Sequence, residues 1–272
     1  MTPAAWSTDA ASMAPSDLSL WSEITPPPVR EDSRFSNVSW AQQQWRVLLS
    51  DDGKPSVQPV DFESPPPKPT PSFVPKASKW IAGAQRHYKF VGGQAYLPTD
   101  DGWLVAFNRG EFGAALYWYD KTGKSSYKIS DHQVVAFVSN TKGIFAVEGL
   151  SHLGLNHGSI IRISRAHQAS SWRAETFAKL PSCPEAAASS KDGTLYVALS
   201  DRLLAVTPKG EMTSLMQGDF LLGGQANSAL LSSDESTLYV GMTQFVLKVN
   251  VKTRQQRYLL PDAALLQKLT SP

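Results

Sequence analysis

Two stretches of this 272-residue sequence carry side chains able to do chemistry. Residues 148–158, EGLSHLGLNHG, hold Glu148, His152, Asn156 and His157. Imidazole and carboxylate ligands suit zinc, and histidine also exchanges protons near neutral pH. A five-residue separation of the two histidines does not place them on one face of a helix. The stretch therefore reads equally as a surface loop with polar histidines. Residues 109–113, RGEFG, set Arg109 and Glu111 among glycines between two apolar runs. Small residues there let a backbone approach a ligand, and Trp103, Tyr117, Trp118 and Tyr119 lie nearby in sequence. The alternative is a tight turn whose Arg and Glu pair with each other. Arg109, Glu111, Glu148, His152 and His157 are the candidate contact residues.

Other pairings carry less. Asp131 with His132 and Ser151 with His152 are adjacent, and adjacency along a strand points side chains to opposite faces. Gly123, Lys124 and Ser125 end like a phosphate-binding loop, but Trp118 stands where the upstream glycine belongs and strands flank the segment. Lys252, Arg254 and Arg257 read as a solvated face. Eight tryptophans and eight tyrosines could stack sugars or bases, although in β repeats such residues usually pack neighbouring sheets.

Composition narrows the class. With 26 basic and 24 acidic residues the formal net charge is +2, too balanced for nucleic-acid binding through counterion release. Cys183 is the one cysteine, so an intrachain disulfide and a Cys-based zinc site are excluded. It sits beside prolines at a strand start and reads as buried rather than reactive. No apolar run approaches the roughly 18 to 20 residues of a membrane span. The N-terminus lacks the basic and apolar regions of an intact secretion signal. A removed leader would make the protein periplasmic or secreted, and otherwise it is cytoplasmic.

Around the candidate stretches the chain repeats itself. Residues 225–240, QANSALLSSDESTLYV, form an apolar run, a polar turn and a second apolar run. Residues 185–197, EAAASSKDGTLYV, share the design, residues 134–147 follow it loosely, and residues 99–106 repeat its second half. Aligned on Gly102, Gly143, Gly193 and Ser236, the intervals are 41, 50 and 43 residues, each with room for four short strands. This is the signature of propeller blades. One four-stranded sheet cannot bury both faces, whereas radially arranged sheets cover one another and protect their edges. The expected fold is all-β, a β-propeller of five blades, with six the alternative. A two-sheet sandwich followed by a separate domain fits the regular interval poorly.

Residues 1–34 are expected to be an irregular N-terminal arm, because Pro26, Pro27 and Pro28 supply no backbone donors and fix φ. The propeller then takes residues 35–262, and 263–272 are a tail with a short helix at 263–269. Strand 45–49, the turn DDGK and strand 56–60 supply a further blade or two, and strand 45–49 is the candidate to complete the last blade. A Pro-rich spacer at 64–78 reads as a stiff connector, and its PxxP spacing also fits an SH3-type groove. The longer second interval falls on residues 148–158, read as the longest insertion between strands of the repeat region.

Residues 183–216, CPEAAASSKDGTLYVALSDRLLAVTPKGEMTSLM, resemble a blade of the SMP-30/gluconolactonase-like and NHL-like propellers. Those families carry a Pro-Glu-Gly or Pro-Asn-Gly step, an apolar strand, a D-G turn and an L-Y-V strand. Residues 227–240 resemble the next blade, with residues 225–228 (QANS) in place of the Pro-Asn-Gly step. Blades of this kind serve enzymes and binding proteins alike. In the SMP-30-like enzymes carboxylate and Asn side chains from several blades hold a divalent metal at the central tunnel. The resemblance implies Glu185 and Asn227 as metal ligands, the equivalent points one and two blades earlier falling near His132–Gln133 and Gln94. Two oxygen donors fall short of the roughly six to eight that Ca²⁺ takes.

The expected function is therefore a non-catalytic propeller that binds a protein partner through loops at the tunnel mouth, as an inhibitor or immunity-type protein would, without a cofactor. The alternative is a metal-dependent lactonase or hydrolase of the SMP-30-like type. It would use Ca²⁺ or another divalent ion on Glu185 and Asn227, with Glu148 or Glu111 as third ligand or base. Carbohydrate binding through aromatic platforms is a third reading.

Overall fold

A computed structural model describes residues 16–25, 43–60, 69–76, 94–167, 171–218, 224–262 and 264. Strands begin inside the stretch expected to be irregular. β1 (Ser16–Asp17) and β2 (Ser22–Ile24) flank a 3₁₀ turn, Leu18–Leu20, whose cap Asp17 accepts a hydrogen bond from Ser19 N at 2.8 Å. β3 (Gln44–Leu49) and β4 (Pro55–Val60) pair about the expected DDGK turn. Next come β5 (Gln94–Pro98), β6 (Gly102–Asn108), β7 (Ala114–Asp120) and β8 (Ser126–Ser130), then β9 (Val134–Asn140), β10 (Gly143–His152), β11 (Leu155–Ser164) and β12 (Arg173–Leu180). The last eight are β13 (Pro184–Ser189), β14 (Leu195–Leu199), β15 (Arg202–Val206), β16 (Met212–Gln217), β17 (Ala226–Leu231), β18 (Thr237–Met242), β19 (Val246–Asn250) and β20 (Gln256–Leu260).

These strands form five sheets: β3, β4 and β1 in blade 1, β5–β8 in blade 2, β9–β12 in blade 3, β13–β16 in blade 4, and β17–β20 with β2 in blade 5. First strands stand side by side around the axis, β5 beside β9, β9 beside β13, β13 beside β17 and β17 beside β3. The protein is a five-bladed β-propeller. Its core lies between blades, with clusters of buried side chains at the seams of blades 2 and 3, 3 and 4, 4 and 5, and 5 and 1. Val138, Phe145 and Val147 of blade 3 pack with Leu195, Val197 and Leu199 of blade 4. Leu104 and Leu116 of blade 2 meet Ala146, Ile161 and Ile163 of blade 3.

The repeated turn that marks the sequence does structural work on the lower face, where the first and second strands of each blade connect. In each turn a short side chain folds back on the backbone, Asn140 Oδ1 accepting from Lys142 N at 2.8 Å, Asp192 Oδ1 from Thr194 N at 2.9 Å and Asp234 Oδ1 from Ser236 N at 3.1 Å. The turns also bind each other around the ring. Thr141 Oγ1 donates to Lys191 O at 2.9 Å, Lys191 N to Glu235 Oε1 at 2.6 Å, and Ser233 Oγ to Gly53 O at 3.4 Å. Arg165 joins blade 3 to blade 2 through Asp100 and Asp101.

Ring closure corrects one expectation. Strand 45–49 does not complete the last blade; it is the inner strand of its own three-stranded sheet. There it leans on blade 5, with Val47 N donating to Ser228 Oγ at 2.9 Å and Gln244 N to Gln43 O at 2.8 Å. The approach is close enough that a side chain on Gly241 would collide with the Trp45 carbonyl. The segment that completes blade 5 is β2, paired antiparallel to β20, while β1 pairs with β4 of blade 1. The N-terminal segment thus clasps both sides of one seam, and its Trp21 meets Trp45 edge-on at 4.8 Å. The reason is edge protection: β4 and β20 are outer strands whose unpaired groups need a partner.

Of the spacer, residues 69–76 run without regular structure along blade 2, where Phe73 packs on Tyr119 at 5.6 Å. The expected helix at 263–269 lies outside the described residues apart from Ala264. Among the described residues no helix is long and apolar enough to cross a membrane.

Candidate functional site

Residues 148–158 are not an inserted loop. β10 and β11 are ten residues each and pair through Gly149 with Gly158, Leu150 with His157, Ser151 with Asn156 and His152 with Leu155. The neighbouring strands stop earlier, β9 opposite Glu148 and β12 opposite Gly158. The hairpin therefore projects beyond its sheet by three or four residues, about 10–13 Å at the rise of a strand. Residues 151–157 are all exposed. The tip is a two-residue turn with φ of 44° at Leu153 and 87° at Gly154. A left-handed leucine is a strained choice for such a turn, and it stands 89% exposed.

The hairpin projects from the upper face, where loops joining second to third strands gather, and residues 109–113 belong to that face too. Here the structure brings two expected residues together. Glu111, in the 3₁₀ turn Gly110–Phe112, lies with Oε2 2.8 Å from His152 Nε2. Glu111 thus makes a cross-blade contact. Asn108 fixes the loop: its Oδ1 accepts from Gly110 N and from Gln133 Nε2, both at 3.0 Å. On the opposite side Asn156 Oδ1 accepts from Cys183 N of blade 4 at 2.7 Å. The hairpin is thus tied to blade 2 through His152 and to blade 4 through Asn156. The sequence marked Gln133 only as a point equivalent to Glu185 and left Asn108 unmarked, although an Asn before Arg-Gly is a turn-former by its side-chain hydrogen bonding.

Cross-strand register sets Glu148, Leu150, His152, Leu155 and His157 on one face of the hairpin. Glu148 accepts from the Ser159 hydroxyl. Leu155 is 57% exposed, and Phe112, next to Glu111, is 66% exposed. Arg109 is half-buried at the start of the turn. Among the described residues no three His, Cys, Asp or Glu side chains are gathered in metal-binding proximity, in the hairpin or elsewhere.

The inner strands carry the second candidate group. β13 and β17 each hold an extra residue near their upper end, between the paired Pro184 and Ala186 and between Ala226 and Ser228. Those bulged residues are Glu185 and Asn227, and a bulge re-aims its side chain. β9 has the same irregularity, and its extra residue is Val135. The equivalent point in blade 3 is therefore apolar Val135, a correction to the expected His132–Gln133. Glu185 Oε2 accepts from Ala226 N at 2.8 Å across the seam, and Asn227 Oδ1 accepts from Ser228 Oγ at 2.8 Å. Burial pushes the Glu185 carboxyl up to about 7 against the opposing pull of that backbone donor. Burial also raises the Cys183 thiol to about 11, helped by the charges of Glu185 and Glu148, which favours the protonated form. Glu185, Asn227, Val135 and Gln94 together offer one carboxylate and two amides, fewer oxygens than the roughly six to eight that Ca²⁺ takes, and do not by themselves fit such a centre.

The basic face at the last strand also changes. Lys252 and Arg254 are exposed, but Arg257 reaches Glu23 of β2, Nε to Oε1 at 3.7 Å.

No protein-family model matches the chain, and no curated protein matches it. Several solved structures are similar in shape. Virginiamycin B lyase from Staphylococcus aureus is 12% identical over 65% of this chain and 58% of its own, with a TM-score of 0.45. A catalytically inactive form of that lyase, solved with quinupristin, is 9% identical over 89% of each chain at a TM-score of 0.46. A gluconolactonase from Xanthomonas campestris is 11% identical over 61% of this chain and 55% of its own, at 0.41. The chain thus spans little more than half the length of the gluconolactonase and of the first lyase structure. At such identities neither a reaction nor a ligand carries over, and the five-bladed architecture rests on the sheets themselves.

Proposed function

We propose that the protein is a non-catalytic binding propeller that holds a protein partner on its upper rim. The contact surface is the projecting hairpin at residues 148–158 together with residues 109–113. One observation carries this reading: Phe112, Leu153 and Leu155 stand exposed around the Glu111–His152 contact, on a hairpin anchored to both neighbouring blades. Exposed apolar side chains grouped beside polar ones mark interaction surfaces. The lower face, by contrast, uses its turn residues to tie blade to blade. A half-exposed pair such as Glu111–His152 adds little stability; its role is to set the hairpin against the loop.

The test is capture with cross-linking. Wild-type protein is compared with Phe112→Ser plus Leu153→Ser, and with Glu111→Ala plus His152→Ala, after matched thermal unfolding curves. A partner cross-linked to residues 109–113 or 148–158, and recovered at least about 10-fold less by the first variant, is expected when central apolar contacts are lost. Equal recovery by all three proteins refutes the assignment. The lactonase reading makes a separate demand, saturable binding of Ca²⁺, Zn²⁺ or Mn²⁺ that Glu185→Gln weakens.

A further inference from the structure

The outer edge of blade 5 shows what kind of strand it accepts. β2 lies on it with Ser22 paired to Leu260, Glu23 to Leu259 and Ile24 to Tyr258. Lys248 on β19 and Arg257 on β20 are direct cross-strand partners, and like charges so placed repel. Glu23 offsets them, 2.8 Å from Lys248 Nζ and 3.7 Å from Arg257 Nε. Two residues upstream Trp21, 5% exposed, drops into the seam with Leu18, Trp45, Val246 and Leu259. One residue downstream Ile24 packs on the core of blade 5. The edge thus reads extended backbone, an aromatic residue, a carboxylate two positions later and an aliphatic residue after it.

The occupant is lightly held for what it buries. β2 supplies three ladder residues and β1 two. Among the described residues seven side-chain polar atoms are buried without a hydrogen-bond partner. Three belong to this seam: Ser16 Oγ, Trp21 Nε1 and Trp45 Nε1. Each unsatisfied atom opposes the closed arrangement, and the Glu23 pairs are partly exposed and screened. A cleft of about 490 Å³ opens between the cis segment, at Asp17, Trp21 and Glu23, and Lys54, Tyr239 and Lys248. It leaves room for side chains of an incoming strand.

We infer that this edge is an acceptor for extended acidic peptides of the pattern aromatic-x-acid-aliphatic, and that residues 16–24 occupy it in cis as an exchangeable stand-in. A partner strand adds to β20 through main-chain hydrogen bonds, the mode by which sheet edges recognise peptides. Its carboxylate replaces Glu23 between the two cations, and its aromatic residue replaces Trp21. The tethered segment competes at an effective concentration of order millimolar, so the intact chain binds such a partner weakly until its own segment is loosened. This surface lies at the seam of blades 5 and 1 and is independent of the rim hairpin.

The probe is a fluorescein-labelled peptide of residues 16–25, SDLSLWSEIT, titrated by anisotropy into the full chain. Glu23→Ala loosens the cis segment at a partly exposed position and keeps the fold, which thermal unfolding checks. The peptide is expected to bind this variant about 3-fold or more tightly than it binds wild type. A peptide carrying Glu23→Lys is expected to lose that binding and to regain it on a chain bearing Glu23→Ala, Lys248→Glu and Arg257→Glu. Equal binding to wild type and Glu23→Ala, or binding indifferent to the peptide's charge, overturns the inference. Dimerisation of the wild-type chain that the peptide cannot block assigns the edge to exchange between copies and overturns it too.

Discussion

Glu185 is the position where a single substitution interrogates the centre of the propeller. Replacing it by glutamine keeps an oxygen able to accept from Ala226 N, now 2.8 Å from Glu185 Oε2, and removes the charge. Burial holds the native carboxyl at about 7, against 4.5 for an ordinary glutamate, so the fold favours the protonated form. The sign follows from proton counts. Below about pH 4.5 folded and unfolded chains both hold the proton and Glu185 costs nothing. Between 4.5 and 7 the unfolded chain releases it first, so stability falls as pH rises; above about pH 7 the full cost is present. At 1.36 kcal/mol per pH unit that cost is about 3 kcal/mol. Urea unfolding of wild type and Glu185→Gln at pH 5, 6, 7 and 8 isolates it, since all other titrating groups cancel in the difference. The variant is expected to gain stability over wild type progressively with pH, by about 3 kcal/mol at pH 8. A difference that stays flat within about 0.5 kcal/mol refutes the view of Glu185 as a desolvated, uncompensated carboxyl.

Two further outcomes follow from the seam and the hairpin. Arg165→Met removes a guanidinium whose side chain is 9% exposed, bonded to Asp100 at 2.6 Å and Asp101 at 2.5 Å and lying 4.6 Å over Trp172. The carboxylates are partly solvated and return to water, so the loss is about 2 kcal/mol, read as a lower urea midpoint; an unchanged midpoint rejects the seam's role. Leu153→Asn relieves a left-handed leucine at φ 44° and is expected to raise stability by about 1 kcal/mol while lowering partner capture. A fall in melting temperature would show that the tip is not strained.

The repeat interval was enough to reveal the blades, because a turn such as residues 190–194 carries its own instructions: Asp192 binds the Thr194 amide two residues on, and Gly193 takes φ of 97°. Local chemistry of that kind is written in adjacent residues. Glu111 and His152 were also recognisable by type as candidate contact residues, though nothing in their forty-one-residue separation announced that they touch or that His152 ends a strand. One misjudged position has a physical cause: the blade 3 equivalent of Glu185 and Asn227 is Val135, not His132–Gln133. Val135, Glu185 and Asn227 are equivalent only because three inner strands carry a bulge at the same height, and a bulge is seen in pairing register, not in composition. Residues 16–24 lacked the length and alternation of a strand, since their strand character comes from the edges they cover.

Sequence alone determined that this chain builds repeated four-stranded modules, because hydrophobic alternation and Asx turns act over a few residues. Tertiary structure decided which segment completes the last blade, that residues 148–158 project as a hairpin rather than loop out, and that Glu185 is buried at a bulge with the Ala226 amide as its donor. Those outcomes depend on edges, seams and desolvation, which exist only once blades meet.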